Sequence, residues 1–383
     1  MISNPFKFGK EVSGDQFYDR EEPFRKLYAK LAGGASNVVM YAPRRYGKTS
    51  LVKRVLARFA SESTPTIYFN LNKIETIEKF CEQYSAAVCR LVGKGREAVD
   101  LLATYLSHLH PTVTVGGEAP VSVRFDYGLK MSSVSLSSVL DLAEKVAAER
   151  LKRPIIVAFD EFQEIQRLSP DLPLEGIFRG CIQEHQFVRY LFFGSKTHML
   201  KRMFGDRERP FYKSAATMRL EKPPSAESAD FVRRRFASRS IGIDEETSER
   251  IVRESENIPY YLQQLSSLVF ESVVDREGDW VEEGDIAAAI DGLLDENADY
   301  YCERLSALSA SQRMLLSALS REPAREFTAD YRRRHALAGS SSVHTALKVL
   351  VEAGIVETND GVHSVGDPFF ARSVRGLPYE AAE

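Results

Sequence analysis

One stretch constrains the fold more than any other: residues 41–50 read Tyr-Ala-Pro-Arg-Arg-Tyr-Gly-Lys-Thr-Ser. An apolar run at 38–41 leads into it, and a segment with helical periodicity begins at Leu51. A strand, a tight loop and a helix N-terminus in this order are the setting of a phosphate-binding loop, because the free N–H groups of a first helical turn form an anion site. The alternative is an ordinary basic loop between a strand and a helix.

The residue types of this loop fit Mg²⁺ and ATP. Lys48 would reach the β- and γ-phosphates, and the Thr49 hydroxyl would bind Mg²⁺. Ala42 stands where the usual pattern has Gly, so the loop must begin with a turn that tolerates a Cβ atom. The other loop residues expected around the phosphates are Pro43, Arg44, Arg45, Tyr46, Gly47 and Ser50.

Four further apolar runs predict strands, at 66–71, 154–159, 188–193 and near 217–220. Helical patterns separate most of them, which indicates an α/β fold with a doubly wound parallel sheet. Ligands of such sheets collect at the carboxyl ends of the strands.

Polar residues follow two of these predicted strands. Asp160 would hold Mg²⁺ beside Thr49, and Glu161 would polarise the water that attacks the γ-phosphate. A solvated acidic turn is the alternative. Ser195 and Lys196 could hydrogen-bond the γ-phosphate or that water, or they could be an ordinary loop serine and a surface lysine.

Two other places offer cations for the phosphates. Lys213 precedes the last predicted strand, and Arg233-Arg234-Arg235 lies in the helical segment beyond Pro223-Pro224. A run of like charges is more often a solvated helix face than a binding site. We therefore keep both interpretations of the arginine run open.

The chain of 383 residues exceeds what one hydrophobic core usually serves. We predict a nucleotide domain at 1–222 with a hairpin insertion at about 111–128, a helical lid at 223–293, and a winged helix-turn-helix at 294–383. The last assignment rests on three features, which are a capping box beginning at Ser309, a helix beginning at Ser340 and a hairpin around Asp360-Gly361.

A winged helix raises the question of DNA. Basic and acidic residues are equal in number across 296–375, and Arg332-Arg333-Arg334 is the basic cluster of this segment. Phosphate contacts normally supply much of DNA affinity, so this balance favours a protein-contact or intramolecular role, with DNA binding as the alternative.

Composition sets the remaining expectations. The formal charge is −3 with 44% hydrophobic residues, as in a soluble globular protein. No apolar signal core begins the chain and no membrane-length apolar run follows, so we predict a cytoplasmic protein without membrane contact. The four cysteines show no C-x-x-C spacing and are expected to be buried, reduced thiols.

Together these residues resemble the archaeal-type ATP-binding proteins of the STAND/AAA+ P-loop ATPases. The matching pieces, besides the phosphate loop, are Asn4-Pro5-Phe6, Phe159-Asp160-Glu161-Phe162-Gln163-Glu164-Ile165, Phe193-Gly194-Ser195-Lys196, Pro210-Phe211-Tyr212, Ile258-Pro259-Tyr260-Tyr261-Leu262-Gln263 and Gly366-Asp367-Pro368-Phe369-Phe370. They span almost the whole chain in the expected order.

The resemblance implies an ATPase core with strand order 5-1-4-3-2, a helical lid and a C-terminal winged helix. It also implies a nucleotide-controlled switch, with base and ribose held between the N-terminal loop and the lid. Relatives touch the nucleotide with the proline of a Gly-x-Pro motif. Pro259 sits in the similar place here, with Asn257 at the glycine position, and Lys213-Ser214 stands where many relatives carry Arg.

The sequence thus predicts a slow, Mg²⁺-dependent ATPase that binds ATP and ADP. Lys48, Glu161, Ser195 and Lys196 are its candidate catalytic residues, and a protein partner or self-association is expected. Two alternatives remain, a DNA-binding ATPase or regulator and a nucleotide-locked scaffold that never turns over.

Overall fold

The computed structural model describes residues 3–9, 20–34, 36–93, 96–114, 121–125, 132–359 and 361–376. The chain divides into two compact units. The first, the sheet unit, comprises Arg20–Ala42 and Lys48–Leu220. The second, the helical unit, comprises Met1–Asp19, Pro43–Gly47 and Glu221–Glu383. The three-domain division with boundaries at 222 and 293 stays a prediction.

The sheet unit alternates strands and helices. Its strands are β1 (Asn37–Tyr41), β2 (Thr66–Asn70), β3 (Thr112–Thr114), β4 (Ser122–Arg124), β5 (Ile155–Asp160), β6 (Val188–Gly194) and β7 (Ala215–Arg219). Its helices are α1 (Glu21–Ala32), α2 (Lys48–Ser61), α3 (Ile77–Val92), α4 (Arg96–Tyr105), α5 (Ser133–Lys145), α6 (Leu174–Glu184) and α7 (Thr197–Gly205). Helix α5 continues as a π-helical segment at Val146–Leu151, and a 3₁₀ segment at Phe162–Leu168 follows β5.

Five parallel strands form the central sheet in the order β2-β5-β6-β1-β7. Counted without the β3–β4 pair, this is the predicted order 5-1-4-3-2 read from the opposite edge, so the predicted fold is confirmed. Every residue of β5 is buried, as its continuous apolar run requires of a strand covered on both faces. The parallel pairing brings the carboxyl ends of β1, β5 and β6 to one edge of the sheet.

The predicted hairpin insertion is present. Strands β3 and β4 pair antiparallel, with Val113 opposite Val123. Val121 and Val123 are buried in the core of the sheet unit. Residues 115–120 and 126–128 of the predicted insertion lie outside the described part of the chain.

The helical unit holds the remaining elements. Its helices are α8 (Ser225–Ala237), α9 (Glu245–Glu254), α10 (Pro259–Asp275), α11 (Glu283–Glu296), α12 (Ala298–Ser306), α13 (Ala310–Arg321), α14 (Ala329–Arg334), α15 (Ser340–Glu352) and α16 (Pro368–Gly376). Its strands β8 (Val356–Asn359) and β9 (Val362–Val365) pair antiparallel. The capping box at Ser309 and Gln312 is formed, and the hairpin follows α15 as a winged helix requires. The predicted turn residue Asp360 lies outside the described residues.

Side chains near the N-terminus are anchored on the helices of this unit. The Asn4 amide donates to the backbone carbonyl of Ser267 at 3.1 Å, and the Phe6 ring packs on Phe236 at 5.0 Å between centroids. Residues 3–9 thus pack on the helical unit, and residues 10–19 are outside the described ranges.

The prediction for the cysteines was partly wrong. All four thiols are free; Cys81 and Cys89 are buried, but Cys181 is half-buried and Cys302 is exposed. Cys302 is exposed because α12 buries only the neighbouring Tyr301. Within the described ranges, no helix combines the length and apolar character needed to cross a bilayer.

Candidate nucleotide-binding site

The site begins where β1 gives way to α2. Lys48 is the first residue of α2 and is only 6% exposed. Its ammonium donates to the backbone carbonyl of Ala42 at 2.8 Å. Ala42 itself is buried, so the position that usually holds Gly has its Cβ packed inside the unit. The Lys48 ammonium, which is predicted to bind phosphate, is therefore held against the end of β1 and is shielded from water.

The loop between Ala42 and Lys48 belongs to the helical unit by its contacts. Gly47 has a φ of 79°, which explains the glycine at this position, and Arg45 also has a left-handed φ of 67°. An arginine in this region costs about 1–2 kcal/mol relative to a glycine. Pro43 and Tyr46 are buried, whereas the Arg44 side chain is exposed.

Four interactions hold Arg45 in this conformation. The backbone N–H of Tyr260 donates to the Arg45 carbonyl at 3.3 Å. The guanidinium forms an ion pair with Asp367 at 3.0 Å and lies over the rings of Tyr260 and Tyr261, 4.9 and 4.6 Å from their centroids. A loop arginine is thus tied to the first turn of α10 and to the residue just before α16.

Asp160 lies at the carboxyl end of β5 and is 3% exposed. The Thr49 hydroxyl donates to its Oδ2 atom at 3.1 Å, and the Tyr68 hydroxyl donates to the same atom at 2.7 Å. Burial raises the pKa of this carboxyl, and the Tyr68 hydrogen bond opposes that rise by favouring the ionised form. A hydroxyl and a carboxylate so close together are oxygen ligands of the kind that Mg²⁺ prefers, so the residues present fit the predicted metal.

Glu161 adopts a left-handed φ of 52°, which turns its side chain towards the end of β6. Its Oε2 atom accepts three hydrogen bonds. They come from the Gln163 amide at 2.5 Å and from the Ser195 backbone N–H and hydroxyl at 3.0 Å each. Ser195 therefore contacts the predicted base. The Lys196 ammonium lies instead 2.7 Å from Glu164, in an ion pair.

The backbone explains the residue types at 257 and 259, and the contact of Pro259 with nucleotide stays a prediction. Asn257 has a φ of 54°, a left-handed conformation that asparagine tolerates better than most side chains other than glycine. Its amide donates to the backbone carbonyl of Pro223 at 2.6 Å. Pro259 then occupies the first position of α10, which proline favours.

The further candidate cations have partners of their own. Arg234 pairs with Asp230 at 3.0 Å, and Arg233 reaches the Ser248 hydroxyl at 3.3 Å. Lys213 has a left-handed φ of 52°, and its ammonium lies 5.4 Å from the centroid of the Tyr212 ring. These contacts favour the alternative in which the arginine run is a solvated helix face rather than a phosphate site.

The structure places several of the predicted site residues close together, and their roles stay predictions. The carboxyl edge of the sheet unit brings together Lys48, Thr49, Asp160, Glu161 and Ser195. The residues missed were Tyr68, Gln163 and Asp367. Gln163 and Asp367 both lie in motifs shared with the resembling family, so the motifs drew attention to them without indicating what they do.

This arrangement has the AAA+-like fold of P-loop ATPases, with a C-terminal winged helix. The chain belongs to the family described as "ATPase domain predominantly from Archaea", which matches residues 17–265. Residues 299–376 match a second family, described as "probable winged helix domain".

Solved structures show the same fold. The chain is similar to a Walker-type ATPase of Pyrococcus abyssi, with a TM-score of 0.65 and 17% sequence identity over 97% of this chain and 99% of that one. It is also similar to the ORC2 protein of Aeropyrum pernix, with a TM-score of 0.55 and 15% identity over 96% of each chain. At these identities the likeness concerns the fold. No curated protein matches the chain at a significant level.

Proposed function

We propose that this protein binds Mg²⁺ and ATP, hydrolyses ATP slowly, and acts as a nucleotide-controlled switch. The observation that supports this most strongly is the 3.1 Å contact of Thr49 with Asp160 beside the buried Lys48. A helix N-terminus, a buried cation and a carboxylate–hydroxyl pair at one sheet edge are what a phosphoryl-transfer site requires.

Different residues of the site would bind the nucleotide, hold the metal and take part in the chemical step. The loop from Pro43 to Ser50 would surround the phosphates, with Lys48 exchanging its bond to the Ala42 carbonyl for phosphate oxygens. Thr49 and Asp160 would hold Mg²⁺, which in such sites neutralises charge that develops on the phosphate oxygens. Glu161 would accept the proton of the attacking water.

Ser195 and Lys196, which follow β6, have different roles in this proposal. Ser195 would fix the Glu161 carboxylate, which it contacts through two hydrogen bonds. Lys196 would need to leave Glu164 before it could reach a phosphate, so its action would depend on a rearrangement. Pro259 would touch the nucleotide from the start of α10.

Arg45 would couple the phosphate loop to the switch. This residue of the phosphate loop contacts Tyr260 and Tyr261 on α10 and Asp367 before α16. Phe369, in the first turn of α16, packs edge-on against Tyr261 at 5.7 Å between centroids. A phosphate that changes the conformation of the loop would therefore change contacts made by α10 and by the end of the winged-helix region, and ATP would favour one arrangement of these parts over another.

The test of the enzymatic proposal is ATP turnover by the wild type and by Glu161→Gln, with ATP binding measured in parallel. We expect turnover to fall by about 100-fold or more in the variant, because general base catalysis contributes about that much, while ATP still binds. Glu184→Gln, at an exposed acid of α6, is the control and should behave as the wild type. Equal turnover in all three proteins would refute the assignment of Glu161. Tight binding without turnover in any of them would favour the nucleotide-locked scaffold.

The test of the switch is hydrogen exchange in α16. Protection of its amides should differ between ATP-saturated Glu161→Gln and the nucleotide-free protein, and the difference should shrink when Asp367→Asn is added. Unchanged protection on ATP binding would contradict the proposal. A protein partner or a second copy of the chain would be sought in the ATP-bound form, since a switch of this kind needs something to act upon.

A further inference from the structure

We propose that Gln163 is a positioning residue that holds the Glu161 carboxylate for attack on ATP. This inference rests on the proposed ATPase function and deepens it. It concerns a residue that neither binds nucleotide nor touches the reacting atoms, and acts through another side chain.

The geometry singles out this amide. Gln163 lies two residues beyond Glu161, in the 3₁₀ segment after β5, and is only 2% exposed. Its Nε2 atom donates to Glu161 Oε2 at 2.5 Å. The orientation of the amide is set by chemistry, because an ionised carboxylate can only accept a hydrogen bond and the amide nitrogen can only donate one.

The orientation that forms this hydrogen bond leaves the oxygen of the same amide unsatisfied by any described residue. Gln163 Oε1 is buried and has no hydrogen-bond partner within the described ranges. Buried polar atoms are normally satisfied, and an exception needs an explanation. A glutamine that only filled space in the core would gain from turning its oxygen towards a donor, whereas a glutamine held by a carboxylate cannot turn.

The neighbouring strand leaves room for this side chain. A Cβ atom at Gly194 would lie 2.1 Å from Gln163 Oε1 and 3.2 Å from the Glu161 Cα atom, so an alanine there would have to displace the Gln163 amide. Gly194 is the last residue of β6, and Ser195 follows it with two more bonds to Glu161 Oε2. The ends of β5 and β6 are thus built around one carboxylate oxygen.

Three donors on one oxygen fix the side chain of Glu161 in a single orientation. The described hydrogen bonds all end on Oε2, which leaves Oε1 as the atom to bind the attacking water. A base held in this way loses little conformational entropy when the reaction occurs. A misplaced base lowers the rate, because catalysis depends on sub-ångström geometry.

The experiment replaces Gln163 by methionine, which keeps the length and volume of the side chain and removes the donor. We expect kcat for ATP to fall by about tenfold or more, the usual effect of losing a hydrogen bond to a charged group, while KM and ATP affinity change little. Gln166→Met is the matched control, because Gln166 lies in the same segment and also donates to a glutamate, Glu175, at 2.7 Å. Its kcat should equal that of the wild type.

A double variant separates positioning from packing. If Gln163 acts through Glu161, adding Gln163→Met to Glu161→Gln should cost no further activity. A further loss as large as in the single variant would overturn the proposal, as would wild-type kcat in Gln163→Met. Should Gln163→Met fail to fold, Gly194→Ala displaces the same amide from the opposite strand and should give the same loss of kcat at unchanged KM. If instead Glu161→Gln turned over ATP as fast as the wild type, the assignment of Glu161 as the base would be refuted and the positioning role would fall with it. Absence of turnover in the wild type would refute the proposed ATPase function itself.

Discussion

The ion pair between Arg45 and Asp367 allows the coupling free energy between the two residues to be predicted. At 3.0 Å, two unit charges attract by about 1.4 kcal/mol at the dielectric constant of water. The Arg45 side chain is 39% exposed, so solvent screening and lost side-chain entropy reduce this attraction. The Asp367 side chain is only 13% exposed, and its burial strengthens the attraction. We therefore expect a coupling free energy of about 1 kcal/mol between the two residues.

The perturbations are Arg45→Met, Asp367→Asn and their combination, in the absence of nucleotide. Asparagine at 367 can still accept the hydrogen bonds that Asp367 takes from the backbone N–H groups of Phe369 and Phe370, so only the charge is lost. Arg45→Met also removes the two cation–π contacts, and its total cost should be about 2 kcal/mol. Urea unfolding followed by tryptophan fluorescence suits this test, because the single tryptophan, Trp280, lies in the helical unit.

The coupling should also depend on pH. Burial raises the pKa of Asp367 above its ordinary value, and the Arg45 charge is among the influences that lower it. A group with a raised pKa in the folded state contributes stability that is present below its unfolded pKa, about 3.9, and is lost as the pH rises through the folded value. Removing Arg45 raises that folded pKa further, so Arg45→Met should destabilise the protein more at about pH 7 than at about pH 4.

Two results would refute this reasoning. One is a coupling free energy below about 0.3 kcal/mol, the level at which independent sites add. The other is a coupling that does not weaken on acidification. Arg372→Met provides the control, because Arg372 lies on α16, the helix that follows Asp367, and pairs with Glu254 at 2.5 Å. Its effect should add to that of Arg45→Met.

Three further predictions concern the site and the winged region. Lys48→Ala should weaken ATP binding by about 10- to 100-fold, since it removes a charged donor to phosphate; unchanged affinity in a titration with a fluorescent ATP analogue would contradict the proposed site. Tyr68→Phe should raise the Mg²⁺ concentration for half-maximal turnover by about tenfold, because the hydroxyl orients Asp160; an unchanged Mg²⁺ dependence would assign Tyr68 a packing role alone. Duplex DNA should bind weakly and with a shallow salt dependence, because Arg332 donates to the backbone carbonyl of Phe327 and Arg334 pairs with Glu322. A steep salt slope that falls by about one unit in Arg333→Ala would favour the DNA-binding alternative.

Much of the sheet unit could be predicted because its strands are determined by residues that are close together in the sequence. The strand of 154–159 is apolar throughout since both its faces are covered, and the acids that follow must then lie at a sheet edge. The capping box at Ser309 and the helix start at Ser340 are set by neighbours in sequence, and both were found.

The missed contacts join residues that are far apart along the chain. Nothing local to Tyr68 indicates that its hydroxyl reaches Asp160, because that depends on the pairing of β2 with β5. The same holds for Arg45 and Asp367, which are 322 positions apart. The exposure of Cys302 was missed for a different reason: α12 buries one narrow stripe, and a short helix gives too few residues to define its periodicity.

The division of the chain has a consequence for how such proteins can evolve. The loop Pro43–Gly47 shares its contacts with residues beyond 221, although the strand before it and the helix after it belong to the sheet unit. A gene that exchanged its C-terminal half with another ATPase would keep the whole sheet and lose the partners of Arg45. Positions 45 and 367 should therefore change together among relatives, and chimaeras joined near 220 should recover stability when the donor's loop is carried over with its helices.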